Sequence, residues 1–509
     1  MKRFFCLLLA VVLTFGSFSG CGSNPSTKPT GGGLAPDDVI GPAVTEPKEE
    51  TIQELTLTYY PEHSMNPFKS TDFTNRALFP LLYQSLFVVD RSGNVQPQLC
   101  SRYSVSEDMK RYTFYVENAT FSDGSLLTIQ DVLASYQAAA DHDYYRGRFF
   151  HVFSMELSED GGIVFTLTTA YENFPILLDI PIVPQDQVDM EHPLGTGPYV
   201  LEGSRLVRRT NWWCKADLVV TAPVIPLIEA TSPNQIRDNF QFNDLDLVCA
   251  DPGSDKYADY RCDYELWDCE NGIFMYLACS VDSKVFSVPE IRAALTYAVD
   301  RDTISDTYYH GFARSASLPA SPLSPYYSQS LASRYQFDPD RFAEAVSQAG
   351  MRNEEVEFLV NSDDSLRLRV ARSIAQVLTD CGLKVTMKEV GGQNYLNCLY
   401  YRTFDIYLGQ TKLSPNMDLS AFFFPTGALS YGGINDTGIY ALCLESLANH
   451  GNYYTLHQTI MDSGALCPVL FRSYAVYATR GLLTNLTPSR DNIFYYSLRK
   501  TMEQALIRQ

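Results

Sequence analysis

Between Glu355 and Val390 the chain reads strand, helix, strand, and this order restricts the fold more than any other feature. Glu355 to Val360 is a β-rich run, and Asn361-Ser362-Asp363-Asp364 is a polar loop. Ser365 to Asp380 sets Leu366, Val370, Ile374, Val377 and Leu378 on one side of a helix that Gly382 stops. Lys384 to Val390 is strand-like again. Two strands joined by a helix must run parallel with a right-handed crossover, so the fold class is α/β. Phe404 to Leu408 adds a further strand. Ligands in such sheets sit beyond the carboxyl ends of strands, which aims segments 361–364 and 409–414 at a cleft.

The first half carries shorter β runs broken by turns. Leu55 to Tyr59 alternates as a half-buried strand does. Phe87-Val88-Val89 leads into the turn Arg91-Ser92-Gly93-Asn94, and Tyr112 to Val116 into the turn Ser122-Asp123-Gly124. Thr128 with Asp131 predicts a capping box, and Val132, Leu133 and Tyr136 supply the apolar face of the helix it opens.

The chain begins as an export signal over residues 1–20: Lys2 and Arg3, an apolar run from Phe4 to Phe15, then small residues. That run falls short of the ~20 residues a membrane span needs. Phe18-Ser19-Gly20-Cys21 resembles the lipobox of bacterial lipoproteins, with Phe18 where Leu is usual. Cys21 is therefore the expected lipidation site, and residues 21–53 the lipidated cysteine and its tether. Pro25, Pro29, Pro36, Pro42, Pro47 and the triplet Gly31-Gly32-Gly33 leave that stretch little to bury. Beyond it roughly 460 residues remain, enough for two or three domains.

A net charge of -20, from 39 Lys+Arg against 59 Asp+Glu, repels phosphate backbones and argues against nucleic acid as a partner. It also assigns membrane attachment to lipid and not to a basic patch. Of 12 cysteines, 10 follow Cys6 and Cys21; no C-x-x-C occurs, and Cys262 and Cys269 are near enough in sequence to pair. No G-x-S-x-G, H-E-x-x-H or Walker loop is present, so the expectation is a non-enzyme without cofactor or metal. His450 and His457 are read as surface or core residues and not as metal ligands. The 33 tyrosines suit wet, ligand-lined clefts as well as cores.

Four motifs in order resemble the family 5 bacterial extracellular solute-binding proteins, the oligopeptide and dipeptide receptors and their relatives. They are Pro80-Leu81-Leu82-Tyr83-Gln84-Ser85-Leu86-Phe87 with Asp90 and Val95 to Leu99, and Phe121-Ser122-Asp123-Gly124 through Thr128, Asp131-Val132 and Ser135-Tyr136. Gly195-Thr196-Gly197-Pro198-Tyr199 is the third, and Ile291 to Leu295 with Tyr297 to Arg301 the fourth. Locally, Gly195 to Tyr199 predicts a sharp reversal suited to a crossing between lobes. Ser287-Val288-Pro289-Glu290 predicts a capping box, with Ile291, Leu295, Ala298 and Val299 as a buried stripe.

The resemblance implies a two-lobed, type II periplasmic-binding-protein-like fold. Lobe I would comprise residues 54–261 plus 472–509, with 71–183 as an extra α+β subdomain, and lobe II residues 262–471. It implies a monomer that closes on a peptide or other small solute and delivers it to the permease and ATPase of an ABC importer. A surface sensor or adhesion protein retaining the fold is the alternative. In the family, the strand and loop matching Phe404 to Phe422 carry ligand contacts. Gln410 stands where tryptophan is usual, Asp418 matches the aspartate of a D-P step, and Pro415 occupies the place of an amine-binding acid. Gln410, Asp418 and Tyr431, a ring for stacking or for packing, are the candidate ligand-binding residues.

Overall fold

The computed structural model describes residues 51–214, 218–434, 436–483, 486–490 and 492–493, with the backbone of 506–508. Cys21 and its tether lie outside them.

Two long strands, Tyr264–Cys279 and Cys467–Thr479, pair antiparallel along most of their length. They form the middle of a seven-stranded sheet in the order 247–250, 467–479, 264–279, 406–412, 355–361, 384–390, with 313–315 joined to the second long strand. The register breaks between Glu270 and Phe274. Gly272 sits in that break at φ +72°, and a Cβ there would strike the Arg490 guanidinium. Before the break the first long strand pairs only with 473–479; after it the strand also pairs with Ile273↔Lys412 through Cys279↔Ile406. The apolar cores divide at the same place. One cluster draws on Leu55, Phe114, Tyr136 and Cys269, whereas two others draw on Met275, Val370 and Ile406, and on Phe274, Tyr407 and Phe422.

The strand-helix-strand expectation holds at Glu355–Asn361, Ser365–Asp380 and Lys384–Val390, with the strands parallel. Asp364 caps the helix by accepting from Arg367 N at 2.9 Å. The next strand runs Ile406–Lys412, two residues later than its apolar pattern marks, because Phe404 turns into the core ahead of the ladder. Smaller sheets flank this one: a four-stranded sheet ordered 57–59, 224–229, 205–208, 199–201, and a five-stranded sheet that includes 100–105, 111–116, 163–167 and 152–157.

The Thr128–Asp131 capping box is present in both directions. The one expected at Ser287 is not. The helix starts at Pro289 with Val288 as its cap residue, and Ser287 Oγ donates instead to Lys284 O at 3.1 Å. Gly195 and Gly197 serve close approach to the backbone of Leu81 and Leu82. A Cβ on Gly197 would lie 2.5 Å from Leu81 O, and Trp212 and Trp213 both donate to Thr196 O beside it. Cys262 and Cys269 are both free thiols; the Cys269 thiol donates to Ser489 O at 2.7 Å. No helix among the described residues is long and apolar enough to cross a membrane.

Candidate functional site

Among the cavities that reach the long strands, one of about 20 Å³ lies at Ala278 and Cys279, and two are larger. The larger, about 270 Å³, meets the second long strand at Tyr474. Its walls come from the loop after Leu57–Tyr59 (Tyr60), the start of a short helix (Asp72, Phe73), the helix Pro233–Gln241 (Arg237), and the segment after Leu247–Ala250 (Asp251, Lys256, Tyr257, Tyr260). Phe73 stacks on Tyr474 with ring centroids 3.8 Å apart, so one wall is a flat aromatic surface. Burial, with the Asp72 carboxylate second, pushes the Tyr60 phenol up to about 12. It therefore stays a neutral hydrogen-bonding group.

Charge in this cavity is mostly spoken for. Asp251 accepts from Arg472 Nη2 at 2.8 Å and from Gly253 N at 2.9 Å. Burial works against the Arg472 charge, but Asp251 outweighs it and raises the guanidinium above its ordinary value. Arg237 is held by Asp238 at 2.8 Å. Asp72 Oδ1 accepts from Asn75 N at 3.1 Å, and His63 Nδ1 lies 3.8 Å from Oδ2.

The smaller cavity, about 80 Å³, meets the first long strand at Glu270, and its walls include Arg91, Ile176, Pro415, Met417 and Arg490. Burial raises the Glu270 carboxyl, opposed by Ser321, whose hydroxyl donates to it, and by Arg490 and Arg314. Asp268 beside it pairs with both Arg91, at 2.8 Å, and Arg314.

The three candidate ligand residues are not brought together at either cavity. Gln410 faces Met275 in the ladder, with Oε1 buried and accepting no hydrogen bond from the described residues. Asp418 is mostly but not fully buried, its side chain 11% exposed: His151 Nε2 lies 3.1 Å from Oδ2, and Ser420 donates to Oδ1 through N at 2.9 Å and Oγ at 2.6 Å. Burial alone would raise its carboxyl, but His151 and Ser420 outweigh that and hold it below the ordinary value. Tyr431 packs on the cluster around Tyr407, ring centroids 6.3 Å apart.

Of the two segments expected to face a cleft, 361–364 is held by Asp363, which accepts from Gly392 N just after the next strand, and by Asp364, which accepts from Arg367 N. Residues 409–414 meet the first half instead. Lys412 Nζ sits 3.3 Å from the Tyr144 ring centroid, with the Arg76 guanidinium 3.8 Å from the same ring. The residues missed by sequence reasoning are those of the larger cavity. Their one signal was the recurrence of tyrosine at Tyr60, Tyr257 and Tyr260, the last two shortly after Asp251.

A family model described as bacterial extracellular solute-binding proteins, family 5 middle, matches residues 94–430. The glutathione-binding protein GsiB of Escherichia coli O1:K1 / APEC is 24% identical over 358 residues, 64% of this chain and 68% of the relative. Among solved structures, a putative peptide binding protein AppA from Clostridium difficile superposes with a TM-score of 0.70 at 16% identity, covering 87% of this chain and 98% of that one. The ABC transporter substrate binding protein CtaP from Listeria monocytogenes gives 0.68 at 18% identity, covering 88% and 98%.

Proposed function

The chain belongs to the family 5 bacterial extracellular solute-binding proteins, and on that premise we propose that it captures a peptide or peptide-like solute in the larger cavity. Proteins of this family bind peptides or related solutes for ABC importers, and its fold is the α/β type II periplasmic-binding fold. The single observation that carries the reading is the cavity of about 270 Å³ at Tyr474, where aromatic rings and charged groups from several segments converge on a crossing strand. Ligand sites are concave and aromatic-lined with a few placed polar groups, and this cavity has that character.

In this reading lobe I is residues 54–261 plus 472–509, with 71–183 as a subdomain, and lobe II is 262–471. The residues lining the larger cavity all fall in lobe I, so that lobe holds the solute, and the strands that change partner at Asn271-Gly272 act as the hinge that brings lobe II over it. The protein works as a monomer tethered outside the cytoplasmic membrane by lipid on Cys21, and hands its solute to the permease and ATPase of an importer.

The test is native mass spectrometry of solute that co-purifies with the full chain, repeated on Tyr474→Ala. The native chain is expected to carry a solute and the variant to lose it. Adding that solute back should raise the melting temperature, as binding to the folded state alone requires, and should compact the scattering profile. Undiminished retention by Tyr474→Ala would place the solute elsewhere.

A further inference from the structure

We propose that Arg490 is a tie across the hinge that sets how far the two lobes swing apart; this rests on the register break at Asn271-Gly272 being that hinge. Arg490 belongs to lobe I, and its guanidinium donates to Leu413 O in lobe II. Leu413 is where the chain leaves the strand Ile406–Lys412, and its own N donates to Gly272 O at 3.0 Å. A backbone hydrogen bond thus holds one side of Leu413 to the break, and a side chain from the other lobe holds its carbonyl.

The segment that carries Arg490 is anchored on the far side of the break. Ser489 O accepts from the Cys269 thiol at 2.7 Å, and Ser489 Oγ donates to Val89 O at 3.0 Å. Cys269 and Val89 pack in one apolar core, whereas Leu413 packs in another with Phe274 and Tyr407. When residues 273–279 and 406–413 turn about Gly272, Ser489 stays with the first core. The contact from Arg490 to Leu413 is then the one that must give way. Gly272 lets the guanidinium lie against the break itself, since a Cβ there would strike Nη2, Cζ and Nε. Arg490 shares the wall of the cavity of about 80 Å³ with the deeply buried Glu270. In such a setting a hydrogen bond from a charged donor is stronger than a neutral one. Arginine suits the task, because its long stem follows a moving carbonyl and its charge is never lost.

The experiment is small-angle scattering and hydrogen exchange on the full chain, as purified and after urea and dialysis have stripped it of solute. Arg490→Met removes the donor and keeps an unbranched side chain. Stripped Arg490→Met is expected to have a larger radius of gyration than the stripped native chain. Its amides in 273–279 and 406–413 should exchange about tenfold faster or more, as loss of a hydrogen bond from a charged group allows. The helix Ser365–Asp380 should exchange as in the native chain. Arg490→Lys keeps a charged donor and should fall between the two; it decides the matter if Arg490→Met does not fold. If the native chain expands on stripping while Arg490→Met matches it in scattering and exchange, the hinge stands and the tie is overturned. Faster exchange throughout the chain, Ser365–Asp380 included, with an unchanged radius of gyration would make Arg490 a residue that only stabilises the fold, and overturns the tie as well. If neither stripping nor Arg490→Met alters the scattering, hinge and tie fall together.

Discussion

His151 Nε2 lies 3.1 Å from Asp418 Oδ2 and joins two residues 267 positions apart in the chain. With Ser420 on Oδ1, the carboxylate is filled by the protein itself. Asp418→Asn should therefore cost stability and leave solute affinity within about twofold. The loss expected in urea unfolding near neutral pH is about 1.5–3 kcal/mol, the range for a hydrogen bond to a charged group. The sign with pH follows from a carboxyl held below its ordinary value in the folded state. Its contribution is present above the unfolded pKa of about 3.9 and is lost as pH falls through the lower folded value. The gap between native and variant should narrow below about pH 4. An affinity loss of tenfold with unchanged stability would return Asp418 to the binding site.

Gly197→Ala tests the close approach that the glycine-rich segment makes possible. Its Cβ would stand 2.5 Å from Leu81 O, a backbone atom that no side-chain rotation can move aside. Overpacking of this kind costs about 1–3 kcal/mol or more. Urea unfolding should show that loss with an unchanged m-value. A variant as stable as the native protein would mean that the Leu81–Leu82 backbone shifts freely.

What the sequence made legible was local. The strand at Glu355, the helix from Ser365 to Asp380 and the Thr128–Asp131 box each follow from periodicity or capping chemistry within a few residues. The larger cavity was not legible, because Tyr60, Asp72, Asp251 and Tyr474 meet only after the second long strand returns beside the first. Asp418 was visible as a motif residue, but its partner His151 lies on a different element, and no local pattern announces that pairing. Ser287 misled for a related reason. Its spacing to Glu290 fits a capping box, yet the helix begins at Pro289 and the hydroxyl turns back to Lys284.

Cys21→Ser tests the lipid anchor proposed at Cys21. The native chain is expected in the membrane fraction, and the variant in the medium or the soluble fraction. A lipid chain contributes about 0.8 kcal/mol per buried CH₂, and nothing in an acidic chain of net charge -20 would replace it. Retention of Cys21→Ser on membranes would mean attachment by some other route.

His457 sits fully buried in the helix Tyr453–Ser463, with neither ring nitrogen hydrogen-bonded among the described residues, and burial pushes its pKa down to about 3. The unfolded chain protonates a histidine near pH 6.5. Between about 6.5 and 3 the unfolded state thus binds one more proton, and stability falls with acid by about 1.4 kcal/mol per pH unit. Above 6.5 this group contributes no slope. Burial lowers His142 and His450 in the same direction, so a single pH profile would mix them. His457→Leu removes one of these groups and leaves the others. In urea unfolding at pH 7 and pH 5, the native protein should lose about 2 kcal/mol more than the variant over that step. Equal losses would show that His457 takes up its proton without unfolding, through an opening of the helix that packs it.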